Sequence, residues 1–162
     1  MIESFIEWAA GTPLNSLALS WTWTWVILET LHFIGLSILI GSLLVIDLRL
    51  MGLFKGLPLA ATKQLLPWSL VGFAINLLTG ILFFFGDPGR YTINIGFQIK
   101  FLLIILAGLN AVWFKFAIDR EMDNWDPHGA TTGSARVIGL ASIGLWFGVL
   151  ILGRLIPYVG TG

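Results

Sequence analysis

The sequence predicts an all-α fold: a bundle of four transmembrane helices running up-down-up-down, with a short N-terminal interfacial helix. Hydrophobic residues make up 57% of the 162 residues and charged residues only 11%, whereas soluble domains contain about 45–50% apolar and about 25% charged residues. Four apolar runs each have close to the ~20 residues that a bilayer crossing requires. We therefore expect an integral membrane protein, in contact with lipid and built as a single transmembrane domain over residues 1–162.

The elements follow from where apolar runs start and stop. Residues 1–20 form the interfacial segment, because the apolar side chains of its first turns share one helical face that is too short and too acidic to span. A cluster of tryptophans, typical of an interfacial belt, precedes the first span, and a Gly-Asp-Pro-Gly turn signal ends the second. The predicted spans cover residues 23–48, 66–86, 96–118 and 136–157.

The distribution of charge predicts orientation and excludes one class of partner. A formal net charge of +0 gives no signature of polyanion binding, so nucleic acid is not an expected partner. Most lysines and arginines fall in the connectors between spans 1 and 2 and between spans 3 and 4. The positive-inside rule places those connectors in the cytoplasm and both termini on the periplasmic side of a bacterial inner membrane.

Four ionisable side chains are predicted to meet in the outer half of the bilayer. Glu29 and His32 lie one turn apart in the first span, with His32 about 12–14 Å below its start at 1.5 Å per residue. Alternating helix directions bring Lys100 and Arg154 to the same half of the bilayer. Ionisable groups inside a membrane are costly and mark functional sites. A buried imidazole below two cations is the arrangement that a haem needs: one axial nitrogen and counter-charges for its propionates.

Each of these side chains also has a simpler explanation. Lys100 and Arg154 are close enough to helix ends to reach the headgroups, Glu29 is able to form a structural ion pair, and His32 is able to hydrogen-bond between helices. The only other histidine, His128, is predicted in a loop on the opposite side. Any haem would therefore be five-coordinate, use another side chain, or be shared between subunits.

Several other residues are interpreted as structural. The G-x-x-x-G spacing of Gly144 and Gly148, together with Gly35 and Gly41, predicts close helix packing. Mid-membrane asparagines are expected to hydrogen-bond across helices; they are Asn76 and Asn110. A salt-bridge cluster is expected at the cytoplasmic end, formed by Asp47, Arg49, Lys115, Asp119 and Arg120. The absence of cysteine and the few, distant histidines exclude a copper site.

The chain resembles a family of small four-helix bacterial inner-membrane proteins without an assigned activity. The resemblance rests on ETLHFIGLSILIGSLLVIDLRLMG, NIGFQIKFLLIILAGLNAVWF and ASIGLWFGVLILGRLIPY. More distantly, a first-helix His followed by K-x-x-L-x-x-x-x-x-x-N in the third helix is similar to the membrane domain of copper-resistance protein D and to HemJ-type protoporphyrinogen oxidase. In the latter group a helix-borne His and a Lys are the functional residues, which implies roles for His32 and Lys100.

We therefore predict a membrane protein that binds b-type haem for redox or electron-transfer chemistry near the outer leaflet. His32 would be the axial ligand and thus the metal-binding residue, Lys100 and Arg154 the propionate partners, and Glu29 a supporting group or proton carrier. Quinone or a porphyrin would be the redox partner. Two alternatives remain: a non-catalytic subunit or scaffold of a homo-oligomer or larger membrane complex, and a small proton-coupled transporter using Glu29 and His32.

Overall fold

Among the residues that the structure describes, the architecture is a bundle of four long helices with four short helices at their ends. The computed structural model describes residues 1–120, 122, 125 and 130–159. The long helices are apolar enough, and of sufficient length, to cross a membrane. In chain order the helices are α1 (Ile2–Ala10), α2 (Pro13–Ala18), α3 (Thr24–Leu50), α4 (Leu59–Lys63), α5 (Leu66–Gly86), α6 (Pro88–Ile93), α7 (Ile95–Ala117) and α8 (Gly133–Leu155).

The predicted all-α, four-span bundle is confirmed. The observed bounds of α5 coincide with the predicted second span, and those of α3, α7 and α8 differ from prediction by up to three residues. Two short connector helices, α4 and α6, were not predicted. Local signals explain α6: Asp87 Oδ1 accepts from the backbone N–H of Arg90 at 3.2 Å, and Pro88 occupies the first helical turn.

The long helices pack through α3 and α8. Helix α3 contacts both α5 and α8, and α8 in turn contacts α7. Small residues bring α3 and α5 close together: a Cβ on Gly72 would lie 2.5 Å from the backbone nitrogen of Leu39, and one on Gly35 would lie 2.7 Å from the side chain of Ile75. Because lipid gives no hydrophobic drive between helices, close packing of this kind supplies much of their association.

Contacts at one end of the bundle show that successive long helices run in opposite directions. Trp25 near the start of α3 meets Gly86 at the end of α5, while the amide nitrogen of Asn94, before α7, donates to the carbonyl of Ile156, after α8, at 2.9 Å. We call this the amino-terminal end of the bundle. The opposite end holds the start of α5, the end of α7 and the start of α8.

The two N-terminal helices cover the amino-terminal end. The amide of Asn15 in α2 donates to the carbonyl of Phe85 at 2.7 Å, and the ring centroid of Trp8 lies 6.2 Å from that of Phe85. Only part of the predicted apolar face of α1 contacts the bundle. Ala9 is buried against the bundle, whereas Ile2 stays exposed. The segment is thus anchored to the bundle with apolar side chains left for a surrounding interface.

The predicted charged cluster at the opposite end forms only in part. Asp119 pairs with Lys63 at 3.0 Å and with Lys115 at 2.6 Å. Asp47 does not join this cluster, because it faces α8 and is only 4% exposed. Arg49 is buried and its Nε donates to the carbonyl of Leu57 at 2.9 Å. Apolar packing beside these groups fills the same end: Ile46, Leu50, Leu59, Phe114, Ile118, Met122, Ala135 and Ile138.

The glycine prediction is correct for one residue of each pair. Gly35 approaches α5, and a Cβ on Gly148 would lie 2.7 Å from Leu103 of α7. Gly41 and Gly144 face open space, because no atom of the described chain lies within 4 Å of the position that a Cβ would take. Their small size therefore serves no packing contact within the described chain.

The asparagine prediction is likewise half correct. The amide of Asn110 on α7 donates to the carbonyl of Ile138 on α8 at 3.1 Å, so it bonds across helices. The amide of Asn76 donates instead to the carbonyl of Gly72 on its own helix at 2.9 Å. This amide lies against Gly35 of α3, where an added Cβ would be 2.7 Å from its nitrogen.

Candidate functional site

The candidate site is centred on His32, which α3 directs toward α5. Its Nδ1 lies 2.7 Å from the hydroxyl oxygen of Thr79, and its ring centroid lies 5.4 Å from that of Phe83 in an edge contact. The ring of Phe83 also contacts Trp25 at 5.1 Å. His32 is partly buried and Thr79 is buried. The imidazole is therefore fixed in position on both its polar and its apolar side.

The hydrogen bonds of Thr79 define which imidazole nitrogen carries the proton. The threonine hydroxyl lies 2.7 Å from the carbonyl oxygen of Ile75 and 3.2 Å from that of Asn76. A hydroxyl has a single hydrogen. Because two oxygens only 2.7 Å apart require a hydrogen between them, the hydroxyl of Thr79 donates to the carbonyl of Ile75. Nδ1 of His32 is therefore the donor to Thr79, and Nε2 holds the lone pair. No other described residue hydrogen-bonds to Nε2.

Lys100, on α7, is the cation that acts electrostatically on His32. The lysine side chain packs against α8 at Gly153, where an added Cβ would lie 3.3 Å from Nζ. Among the described residues the ammonium has no hydrogen bond and no ion pair. The sequence prediction that placed Lys100 in the same half of the bilayer as His32 agrees with this arrangement.

Arg154 and Glu29 lie further out. Arg154 is exposed, and its guanidinium stands 5.7 Å from the centroid of the Tyr158 ring, toward the end of the helix. Glu29 is also exposed and accepts a hydrogen bond from the indole of Trp25 at 3.1 Å. Within the described part of the chain no ion pair joins Glu29 to Lys100 or to Arg154. The four predicted residues thus divide into an inner pair and an outer pair.

The donor set fits one axial position of a haem. An imidazole with a fixed Nδ1–H and an available Nε2 is the form in which histidine binds metals, and its hydrogen-bonded partner sets the ring orientation. Lys100 supplies a positive charge beside it. No group of three or more His, Asp or Glu side chains able to hold a metal occurs in the described ranges. His128 lies outside the described residues.

The hollows of the bundle lie elsewhere. The larger, with a volume of about 550 Å³, is a shallow depression between α7 and α8 beside Asn110 and Gly144. A smaller one adjoins Asp47. Asn110 is ten residues along α7 from Lys100, which corresponds to about 15 Å. His32 lines neither of these hollows. A ligand would therefore reach Nε2 of His32 from the partly exposed face of α3.

Sequence reasoning missed two residues that the tertiary structure makes important. Thr79 is a single hydroxyl in an apolar helix, with no sequence spacing that links it to His32. A comparison of depths would have found it, since His32 is the ninth residue of α3 and Thr79 the eighth from the end of the antiparallel α5. Asp47 was predicted to join the salt-bridge cluster at the cytoplasmic end, and that prediction was wrong, because its side chain is buried against α8.

Fold and site together define a multi-pass integral membrane protein with four spans and a polar site inside the bundle. The chain belongs to a family of unknown function, DUF6644, whose model matches residues 5–159. No curated protein and no solved structure matches it significantly. The predicted membership of an uncharacterised membrane-protein family is thus confirmed at the level of the family, while the distant likeness to copper-resistance protein D and HemJ stays a prediction.

Proposed function

We propose that this protein binds a b-type haem at His32 and serves redox or electron-transfer chemistry in the membrane. The observation that supports the proposal best is the imidazole itself, whose Nδ1–H is held by Thr79 while Nε2 has no hydrogen-bond partner among the described residues. The bond to Thr79 would also form if His32 only joined the two helices, so the available Nε2 is the part of this observation that points to a ligand. The cation of Lys100 beside it is the second feature, because a haem brings two carboxylates that require positive partners.

In this proposal each residue has a defined task. His32 binds the iron, Thr79 orients the imidazole, and Lys100 neutralises a propionate. Arg154 is an outer partner of the propionates, and Glu29 a proton carrier at the exposed edge of the site. The haem, when bound, supplies one-electron chemistry. A membrane-soluble quinone or a porphyrin is the redox partner that an apolar site of this kind would take.

The same proposal includes an orientation. The concentration of basic residues at the end opposite His32 favours placing that end in the cytoplasm and the amino-terminal end on the periplasmic side of a bacterial inner membrane. Single cysteines placed at the exposed positions Glu3 and Lys55, in a chain that has no native cysteine, give a direct measurement. An impermeant thiol reagent added to intact cells would label the first and not the second.

An optical spectrum tests the haem proposal. Protein expressed with added haem and purified in detergent should show a Soret band that shifts on reduction with dithionite. His32→Ala should abolish the band, because it removes the only described axial nitrogen. His128→Ala is the matched control and should leave the band unchanged. A colourless protein of normal yield, or a His32→Ala variant that retains the band, would contradict the proposal.

The same purified protein also shows how many axial ligands the iron has. The described residues supply a single imidazole nitrogen, so the iron would be five-coordinate, use another side chain as its second ligand, or be shared between two copies of the chain. A spectrum of high-spin iron with a monomeric detergent complex indicates the first arrangement. A low-spin spectrum indicates the second arrangement if the complex is monomeric and the third if it is dimeric.

A further inference from the structure

The feature that the proposed function leaves unused is the carboxyl group of Asp47. It lies one turn before the end of α3, is only 4% exposed, and points at α8. Its side chain faces the hydroxyl of Ser142, which is itself 6% exposed. Gly139 permits this close approach, since a Cβ there would lie 2.8 Å from the backbone oxygen of Asp47.

The charged groups around Asp47 are engaged with other partners. Arg49, on the same helix, donates through Nε to the carbonyl of Leu57. On α8, the Nε of Arg136 lies 3.4 Å from the hydroxyl of Thr131. On α4, Lys63 pairs with Asp119. Within the described part of the chain no cation forms an ion pair with Asp47.

The surroundings limit what this carboxyl group can bind. The small hollow beside it is apolar apart from Asp47 itself, lined by Ile40, Leu43, Leu44, Ile143, Trp146 and Phe147. Metal cations such as Ca²⁺ and Mg²⁺ take about six or more oxygen ligands, whereas this site offers the carboxylate and one hydroxyl. A proton needs only the carboxylate. The hydroxyl of Ser142 is able to donate to the carboxylate and to accept from the neutral acid, so it serves both forms.

We propose that Asp47 is a proton-binding site, at which the carboxylate takes up H⁺ to form a neutral carboxylic acid and later releases it at the nearby end of the bundle. Burial without a cationic partner makes the charged form costly, and uptake of a proton removes that cost. The site lies 15 residues from His32 along α3, about 22 Å away. It does not depend on haem binding and adds a protonation step to whatever the bundle does.

Infrared difference spectroscopy tests this proposal on the wild-type protein in liposomes. Spectra recorded between acidic and alkaline buffers should contain the C=O stretch of a buried carboxylic acid that appears and disappears with pH and shifts in D₂O. Asp47→Asn should remove the band. Asp119→Asn, which changes an aspartate that is already paired with two lysines, is the matched control and should retain it.

The outcomes separate a proton site from a purely structural aspartate. If Asp47 holds only a structural hydrogen bond as a carboxylate, the wild type shows no such band at any pH, and the proposal is overturned. It is also overturned if the band persists in Asp47→Asn. Ser142→Ala gives a second measurement that keeps the carboxyl group: the frequency of the band should change, because the hydrogen bond to the acid is lost, while the band itself remains.

Discussion

At the scale of single residues, buried polar side chains of the bundle are held by specific groups on their own or a neighbouring helix. Asn94 shows this most clearly: it is completely buried, and its oxygen accepts from the backbone N–H of Phe97 at 3.0 Å. Its amide nitrogen donates to the carbonyls of Ile156 and Val159 after α8. One side chain therefore begins α7 and ties it to the end of α8, where unmatched backbone groups would be costly in lipid.

Thr79 has the corresponding task at the candidate site, and its removal gives a prediction. Thr79→Val keeps the shape of the side chain but removes the acceptor for His32 Nδ1. Because a partner that orients a metal-binding histidine typically contributes 10–100-fold in metal affinity, we expect haem affinity to fall by about that factor. The measurement is a haem titration of the purified apoprotein followed by absorbance.

Thr79→Ser is the matched control for this experiment. It retains the hydroxyl that accepts from His32 and removes only a methyl group, so haem affinity should stay close to that of the wild type. Equal loss in the valine and serine variants would show that the volume of Thr79, and not its hydrogen bond, supports the site.

At the scale of the helices, two glycines determine how closely α3 and α5 approach. Gly35 and Gly72 lie opposite one another, with the missing Cβ of Gly72 only 2.7 Å from the carbonyl oxygen of Gly35. This close contact aligns the two helices so that His32, one turn from Gly35, faces Thr79, two turns from Gly72. The geometry of the site therefore depends on the packing of these elements as well as on its own residues.

Replacement of Gly72 by alanine should destabilise the bundle. The added methyl would meet backbone atoms at 2.5 Å, which flexible side chains cannot relieve, and overpacking of this kind typically costs about 1–3 kcal/mol. Gly80→Ala on the same helix is the matched control, because no atom lies within 4 Å of its added Cβ. Thermal unfolding in detergent should show a lower midpoint for the first variant alone, and similar midpoints would contradict this account.

At the scale of the whole molecule, the end opposite His32 is held by the paired Asp119. This residue follows α7, and its carboxylate joins Lys115 on that helix to Lys63 on α4. The hydrogen bond from Lys115 lowers the pKa of Asp119 from its ordinary value of 3.8, with Lys63 acting in the same direction. The negative charge of Asp119, which is present at neutral pH, thus joins the connector helix α4 to the end of α7.

This lowered pKa predicts the direction of a pH effect. A carboxyl group whose pKa is lower in the folded state stabilises the fold above its ordinary value of 3.8, and this contribution is lost as the pH falls through the lower folded value. Asp119→Asn should therefore lower the unfolding midpoint at pH ~7, with little difference from wild type near pH ~2. Midpoints measured in detergent at both pH values check this, and a difference of the same size at both would contradict it.

The sequence by itself determined the fold class and the spans, because the length and apolarity of a membrane helix are set locally by the bilayer and by the turn residues at its ends. It also placed His32 and Lys100 in the same half of the bilayer, since alternating helices convert position along the chain into depth. The rotation of each helix is set by which small residues its neighbours present. Only the tertiary structure therefore decided that Thr79 holds His32, that Arg154 and Glu29 turn outward, and that Asp47 faces Ser142.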